Sequence, residues 1–267
     1  MSYVISWVGI KDGQGVTTSA LALAYELAHR HTVLLLDADQ SGTGTLVDLL
    51  DVPSEQRGMS RFTGRISSIT VEMLREEALQ VPRHKKLFVI PGLNGVCGKP
   101  AYVLAGELGQ GRALDRVPFD FVIVDWGAAW CHPGLDSPAR AAEAVCRLSH
   151  RVFVQFVDSP VLLTRAIRVL QQARPARAEL VLMEARKNEL RTELRRALQT
   201  HLPHLELAAS VPWDPRAALR AEDRCSPVAG LGPHLARQLQ VVERAMPVLR
   251  AAEAASEGRP APAGGAG

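Results

Sequence analysis

The chain has 267 residues, of which 47% are hydrophobic, 22% charged and 5% aromatic, a composition that excludes disorder, collagen-like repeats and a disulfide scaffold. Lys plus Arg exceed Asp plus Glu by 31 − 28 = 3, too small a surplus to announce nucleic acid or an acidic membrane through net charge. Cys97, Cys131, Cys146 and Cys225 are far apart with no CxxC pair, no leader-like segment opens the chain, and no apolar run approaches the roughly 18 to 20 residues a membrane span needs. These features predict a reduced, cytoplasmic protein.

Along the chain, short aliphatic runs alternate with longer helical stretches, the rhythm of a parallel sheet covered on both faces. Strands are predicted over 3–10, 32–39, 86–92, 119–126, 151–157, 178–184 and 205–212, each nearly all apolar, as doubly covered strands are. Helices are predicted over 16–30, 43–50, 70–80, 101–116, 137–148, 160–173, 187–200, 215–223 and 232–254, several opened by Ser, Thr, Asp or Pro. The expected fold is α/β: three layers, with a mostly parallel sheet of seven to eight strands and helices on both faces. Residues 1–254 read as one domain, 51–69 as a mobile connection, and the Gly-, Pro- and Ala-rich 255–267 as a disordered tail.

The first strand runs into Lys11-Asp12-Gly13-Gln14-Gly15-Val16-Thr17-Thr18 and then directly into an amphipathic helix. Strand, glycine-containing loop and helix N-terminus together form an anion site, because the glycines let backbone N–H groups converge on a phosphate and a following Thr hydroxyl can reach Mg²⁺. Alone, the segment also reads as a strand-to-helix turn in which Gly supplies positive φ and Thr caps the helix. Two later segments add carboxylates. Asp37 and Asp39 end the second strand at i and i+2, which places both toward the carboxyl edge where open α/β sheets bind ligands, and Asp125 ends the hydrophobic strand FDFVIVD.

Taken in series, these segments resemble the ParA/MinD ATPases, whose deviant phosphate loop reads K-G-G-x-G-K-[ST]-[ST]. Lys11, Gly13, Gly15, Thr17 and Thr18 match that pattern, whereas Asp12 stands at a Gly position and Val16 stands where the family has the Lys that contacts the β- and γ-phosphates. The resemblance implies that ATP would lie on Lys11, Gly13, Gln14, Gly15, Val16, Thr17 and Thr18, with Pro212, Trp213 and Asp214 beside the adenine. It likewise implies that Thr17, Asp37 and Asp125 would serve Mg²⁺, and that Asp39 and Lys11 would be catalytic in whatever activity remains. The two departures shift the loop's charge by two negative units, and at about 4 Å and an effective dielectric near 20 each unit charge is worth about 4 kcal/mol against a phosphate charge before solvation. The expectation is therefore absent or weak ATPase activity. Trp126, Gly127 and Ala128 depart from the family's usual switch sequence, and Met183-Glu184 replace its base-reading Asn.

Within the family the look is nearest to the CpaE/TadZ branch, which positions Tad pilus and secretion machinery at a cell pole. That placement rests on the eroded loop, the VIPGLNG segment and VPWDPRAALRAEDRCSPV. It implies a non-hydrolysing organiser that contacts components of a larger assembly and pairs with itself face to face through Lys11. A slow Mg²⁺-ATPase and a DNA-associated segregation factor are the alternatives. Arg186, Lys187, Arg191, Arg195 and Arg196 make one helix basic, but Glu189 and Glu193 interrupt it, as on a solvated face. Cys131-His132 lacks the paired spacing of a zinc site. The terminal stripe Leu231, Leu235, Leu239, Val242, Met246 and Leu249 reads as core packing, and the end of the chain lacks the basic, aromatic-anchored face of a membrane helix.

Overall fold

A computed structural model describes residues 1–39, 45–52, 58–62, 68–82, 84–92, 101–130, 138–175, 178–184, 191–212, 214–224 and 226–256. In chain order the elements are β1 (Tyr3–Gly9), α1 (Val16–Ala28), β2 (Val33–Asp37), α2 (Thr45–Leu50), α3 (Val71–Glu77), β3 (Leu79–Gln80), β4 (Leu87–Ile90), α4 (Ala101–Gly109), α5 (Ala113–Arg116) and β5 (Phe121–Asp125). There follow α6 (Pro138–Leu148), β6 (Arg151–Val157), α7 (Pro160–Ala173), β7 (Ala178–Glu184), α8 (Arg191–His201), β8 (Glu206–Pro212), α9 (Pro215–Asp223), α10 (Leu231–Leu239) and α11 (Val241–Ser256). The strands form one sheet in the order β3-β4-β2-β5-β1-β6-β7-β8. Every neighbouring pair is parallel except β3 with β4.

The central strands are buried throughout, and their alternation divides the side chains between two cores, as the period of two in a strand requires. Ile5, Trp7, Leu35, Ile123 and Val181 face α1, α10 and α11. Val4, Val8, Leu34, Leu36, Val124 and Leu182 face the layer that contains α4, α6 and α7. The result is the expected three-layer α/β fold, with an eight-stranded sheet among the described residues.

Several predicted boundaries are corrected. The helix expected over 70–80 is capped at Thr70, whose hydroxyl accepts from the Met73 N–H at 3.3 Å. It stops at Glu77, because Leu79 and Gln80 pair antiparallel with Val89 and Phe88 and extend the sheet edge. The stretch 101–116 breaks at a 3₁₀ turn over Gln110–Arg112, where Arg112 takes a φ of 56°. The stretch 232–254 is two helices that meet at Gln240, φ 47°. There the carbonyl of Leu239 accepts from Arg151 Nη1 at 2.6 Å. Arg151, buried on β6, also pairs with Glu179 on β7, so the helix break is tied into the sheet. Part of 51–69 is built structure: Met59–Phe62 is a 3₁₀ turn with Met59 and Phe62 buried, and Glu77 accepts from Gly58 N–H and from Arg61.

The terminal stripe packs as expected, with Leu231, Leu235, Leu239 and Leu249 buried and Val242 and Met246 half-buried. Residues 255 and 256, assigned to the tail, complete α11, and the rest of the tail lies outside the described residues. Among the described residues no helix is long and apolar enough to cross a membrane.

The crossing of α10 over α1 sets a measurable requirement. Gly232 on α10 lies against the carbonyl oxygen of Ala22 and the Cβ of Glu26 on α1, and any Cβ there would overlap the carbonyl. Gly232→Ala should therefore cost about 1–3 kcal/mol in urea unfolding. Gly106 on α4 is exposed with nothing within 4 Å of an added Cβ, so Gly106→Ala should add about 0.5–1 kcal/mol.

Candidate functional site

The residues singled out in the sequence converge where β1, β2 and β5 end. Gly9 closes β1, and its N–H donates to the Gly127 carbonyl at 2.6 Å, which ties the loop after β1 to the segment after β5. Gly13 and Gly15 hold φ values of 73° and 74°, a region that Cβ-bearing residues avoid and that lets the loop fold over the start of α1. Gln14 is buried and clamps the loop from below: its Oε1 accepts from Ile10 N–H, and its carbonyl accepts from Gln155 Nε2 at 2.6 Å. Gln155 in turn accepts from the Trp7 indole.

Val16 opens α1 at 6% exposure and belongs to the apolar cluster beneath the sheet. Its Cγ2 would come within 2.8 Å of a Cβ added at Gly9, so it packs closely against the end of β1 at the base of the loop. Lys11, Asp12 and Gly13 are exposed at the tip, and Thr17 and Thr18 are half-buried. A pocket of about 500 Å³ is lined by residues 11–18 with Asp39, Gly127 and Ala128. Among the described residues its charged lining side chains are one cation, Lys11, and two carboxylates, Asp12 and Asp39.

Asp37 and Asp125 are paired in register across β2 and β5 and are both buried. Burial, followed by the neighbouring Asp125 carboxylate, holds Asp37 well above the usual carboxylate range. Its oxygens are engaged by backbone: Oδ1 accepts from Asp39 N–H at 3.1 Å, and the Gly92 amide also bonds to it. A Cβ on Gly92 would collide with the carboxylate. Burial also pushes Asp125 up to about 6, against the Thr17 hydroxyl and the Gly127 amide, which favour the charged form. Gly127 N–H donates to Asp125 Oδ1 at 2.9 Å, whereas the buried Oδ2 has no hydrogen-bond partner. Gly127 itself takes a φ of 53°, and its Cα is packed against the Asp39 carboxylate so closely that no side chain fits.

The structure thus brings together Lys11, Gly13, Gln14, Gly15, Val16, Thr17, Thr18 and Asp39, with Asp125 beneath them. Asp37 does not line the pocket. Nor do Pro212 and Asp214: Pro212 ends β8 in register with Glu184, and Asp214 caps α9, its Oδ1 accepting from Ala217 N–H at 2.9 Å. Trp213, Cys97, Cys131, His132, Cys225, Arg186 and Lys187 lie outside the described residues, and Cys146 is buried and forms no disulfide. Sequence reasoning named Gly127 only as a departure from the family's switch and Gly92 only within VIPGLNG, and missed that both lie against carboxylates distant in the chain. It also missed the anchoring of the segment after Asp125. Trp126 is fully buried and donates from its indole to Ser6 Oγ at 2.9 Å; Ser6 Oγ shares a 2.6 Å hydrogen bond with Ser149 Oγ.

Mg²⁺ has a chemically suitable donor set in the unpartnered Asp125 Oδ2 and the Thr17 hydroxyl, both hard oxygen ligands. Among the described residues no group of three or more His, Cys, Asp or Glu side chains is arranged to hold a metal by itself.

No protein-family model matches the sequence, and no curated protein matches it. Solved structures do. The ParA family ATPase of Chlorobium tepidum TLS shares 18% identity over 92% of this chain and 98% of its own, with a TM-score of 0.64. The septum site-determining protein MinD of Pyrococcus horikoshii OT3, solved with Mg-ADP, shares 16% identity over 93% and 99%, with a TM-score of 0.66. A putative plasmid partition protein of Borrelia burgdorferi B31 bound to AMPPNP shares 15% identity over 91% and 98%, at 0.63. The fold is therefore that of the ParA and MinD proteins.

The raised carboxyl group carries a pH signature. A folded-state value near 6 against an ordinary 3.8 means that Asp125 contributes stability below about pH 4 that is lost as the pH rises through 6, of order 3 kcal/mol. Asp125→Asn should raise urea stability at pH 7 and flatten its decline between pH 4 and 7, measured from urea midpoints across that range.

Proposed function

We propose that the chain is a ParA/MinD-type protein that keeps the phosphate loop as architecture and acts through protein contacts, as an organiser or regulator of a larger assembly, rather than through ATP turnover. One observation carries this reading: position 16, where the resembling loop has its phosphate-contacting Lys, is an apolar side chain folded into the core, and Asp12 adds a carboxylate at the mouth. Each missing or opposed unit charge is worth about 4 kcal/mol against a phosphate at 4 Å and an effective dielectric near 20. Backbone amides and the helix N-terminus offset about 0.3–2 kcal/mol of that. A triphosphate does not fit this charge set.

Lys11 remains at the tip and Thr17, Asp39 and Asp125 remain around the pocket, which supports a second reading, a slow Mg²⁺-dependent ATPase. The unpartnered Asp125 Oδ2 favours that reading, since a buried carboxylate oxygen without a donor suits a cation. The carboxylate at Asp12 opposes it. The finer placement beside the CpaE/TadZ branch, with a role at Tad pilus or secretion machinery, is supported by the same loop departures and by the VIPGLNG and VPWDPRAALRAEDRCSPV segments.

Calorimetric titration with ATP·Mg²⁺ separates the two. The wild-type chain should show no sub-millimolar binding, and the combined change Asp12→Gly with Val16→Lys should tighten binding at least about a hundredfold. Micromolar binding by the wild type, lost in Asp125→Ala and accompanied by phosphate release, would establish the enzyme instead.

A further inference from the structure

The glycine loop occupies the carboxyl edge of the sheet. A second cavity, of about 340 Å³, opens at the amino edge, where α4 and α6 end and α5 begins, just ahead of β6. Among the described residues its charged lining side chains are two guanidinium groups, Arg112 and Arg147, and one carboxylate, Asp115. Leu108 and Leu114, both buried, and the half-buried Leu148 give it apolar walls.

Cations beside helix carboxyl ends are ordinary, since the helix dipole favours them. Arg112 goes further. It holds a φ of 56°, a conformation that Gly or Asn adopts more readily than a long side chain does. Its Nε donates to Asp115 Oδ2 at 2.7 Å, and the Asp115 side chain is largely buried, so the guanidinium is held in place while its Nη groups serve another acceptor. Arg147 pairs with Glu143 one turn earlier; both side chains are exposed, so an incoming carboxylate replaces Glu143 at little cost. His150, also in the lining, adds a donor. Its Nδ1 accepts from Val4 N–H at 3.0 Å and its ring stacks on Tyr3 with centroids 4.8 Å apart, which puts the proton of the neutral ring on Nε2.

Two guanidinium groups and an N–H donor set among leucines match a carboxylate that carries an apolar side chain, and the volume, at the small end for ligand pockets, suits a guest the size of one residue. Inorganic phosphate would engage the cations and leave the leucines without a guest. We propose that this cavity binds the C-terminal carboxylate and last apolar side chain of another protein, with Arg112 and Arg147 on the carboxylate and Leu108, Leu114 and Leu148 around the side chain. The site gives action through protein contacts a place on the edge opposite the loop, and it rests on that reading only in taking the chain end from a partner protein.

N-acetyl-leucine, the smallest molecule with both features, tests the proposal by nitrogen-resolved NMR of the full chain. It should shift the amides of Gly109, Ser149 and His150 and saturate with a Kd of about a millimolar. N-acetyl-leucine amide, which lacks the charge, and N-acetyl-glycine, which lacks the side chain, should each bind about tenfold more weakly. Arg112→Gly suits the left-handed turn, so it should keep the fold and still weaken binding about tenfold, as should Arg147→Gln. Gly109→Met plugs the cavity: Gly109 has a φ of −81°, and an added Cβ meets Leu148 Cδ1 at an ordinary 3.7 Å, so this variant should fold normally and lose the shifts. No shift at about 10 mM ligand, equal binding of the amide, or binding unchanged by either arginine variant would overturn the proposal. Inorganic phosphate that binds as well as N-acetyl-leucine would overturn it too and leave a simple anion site. Failure of the underlying reading would look different: tight ATP·Mg²⁺ binding at the loop, with these shifts intact.

Discussion

Two carboxyl groups buried side by side constrain the whole carboxyl edge of this sheet. Asp37 and Asp125 occupy paired positions on adjacent strands, and burial raises the pKa of both. Backbone amides from Asp39, Gly92 and Gly127 satisfy part of their hydrogen-bonding capacity, and glycine is required at 92 and 127 because carboxylates occupy the space a side chain would take. The Gly127 carbonyl then fixes the end of β1 through Gly9. Loop, strand ends and following segment are thus set around acidic groups that lower stability at neutral pH. Such an arrangement is characteristic of a site shaped for binding, since an apolar pair would pack at less cost.

The departures from the resembling phosphate loop are integrated into the packing. Val16 is a core residue that packs against Gly9 at the loop base, and Trp126 is fixed through Ser6 and Ser149 to the start of β6. Ala128, Ala129 and Trp130 are buried as well, so the wall that follows Asp125 is part of the core on the α4–α6 side or directly beside it. A loop held in this way retains the shape of an anion cradle, with Asp12 and Asp39 beside Lys11 in its lining.

Much of this was legible in the sequence. The interior strands read correctly because a strand covered on both faces must be apolar at nearly every position, and the glycine loop between β1 and α1 carries its own turn chemistry. The edge strand at Leu79–Gln80 was not legible: two residues are too few to show a period, and they follow a run with helical spacing. The breaks at Arg112 and Gln240 were hidden for another reason. Both take positive φ without being Gly, so no local signal marks them; the Arg151 contact that accompanies the second comes from 88 residues away. In the site, residue types and order could be read, but the inward turn of Val16, the enclosure of Asp37 by Gly92 and the orphaned oxygen of Asp125 depend on tertiary contacts.

The central claim is that the charge set around this loop does not hold a nucleoside triphosphate. Phosphorus NMR of ATP·Mg²⁺ titrated with the purified chain reads that claim at the γ-phosphate itself. The account predicts a resonance that neither shifts nor broadens and no growth of inorganic phosphate. A saturating shift at sub-millimolar protein, or steady phosphate release, would contradict it.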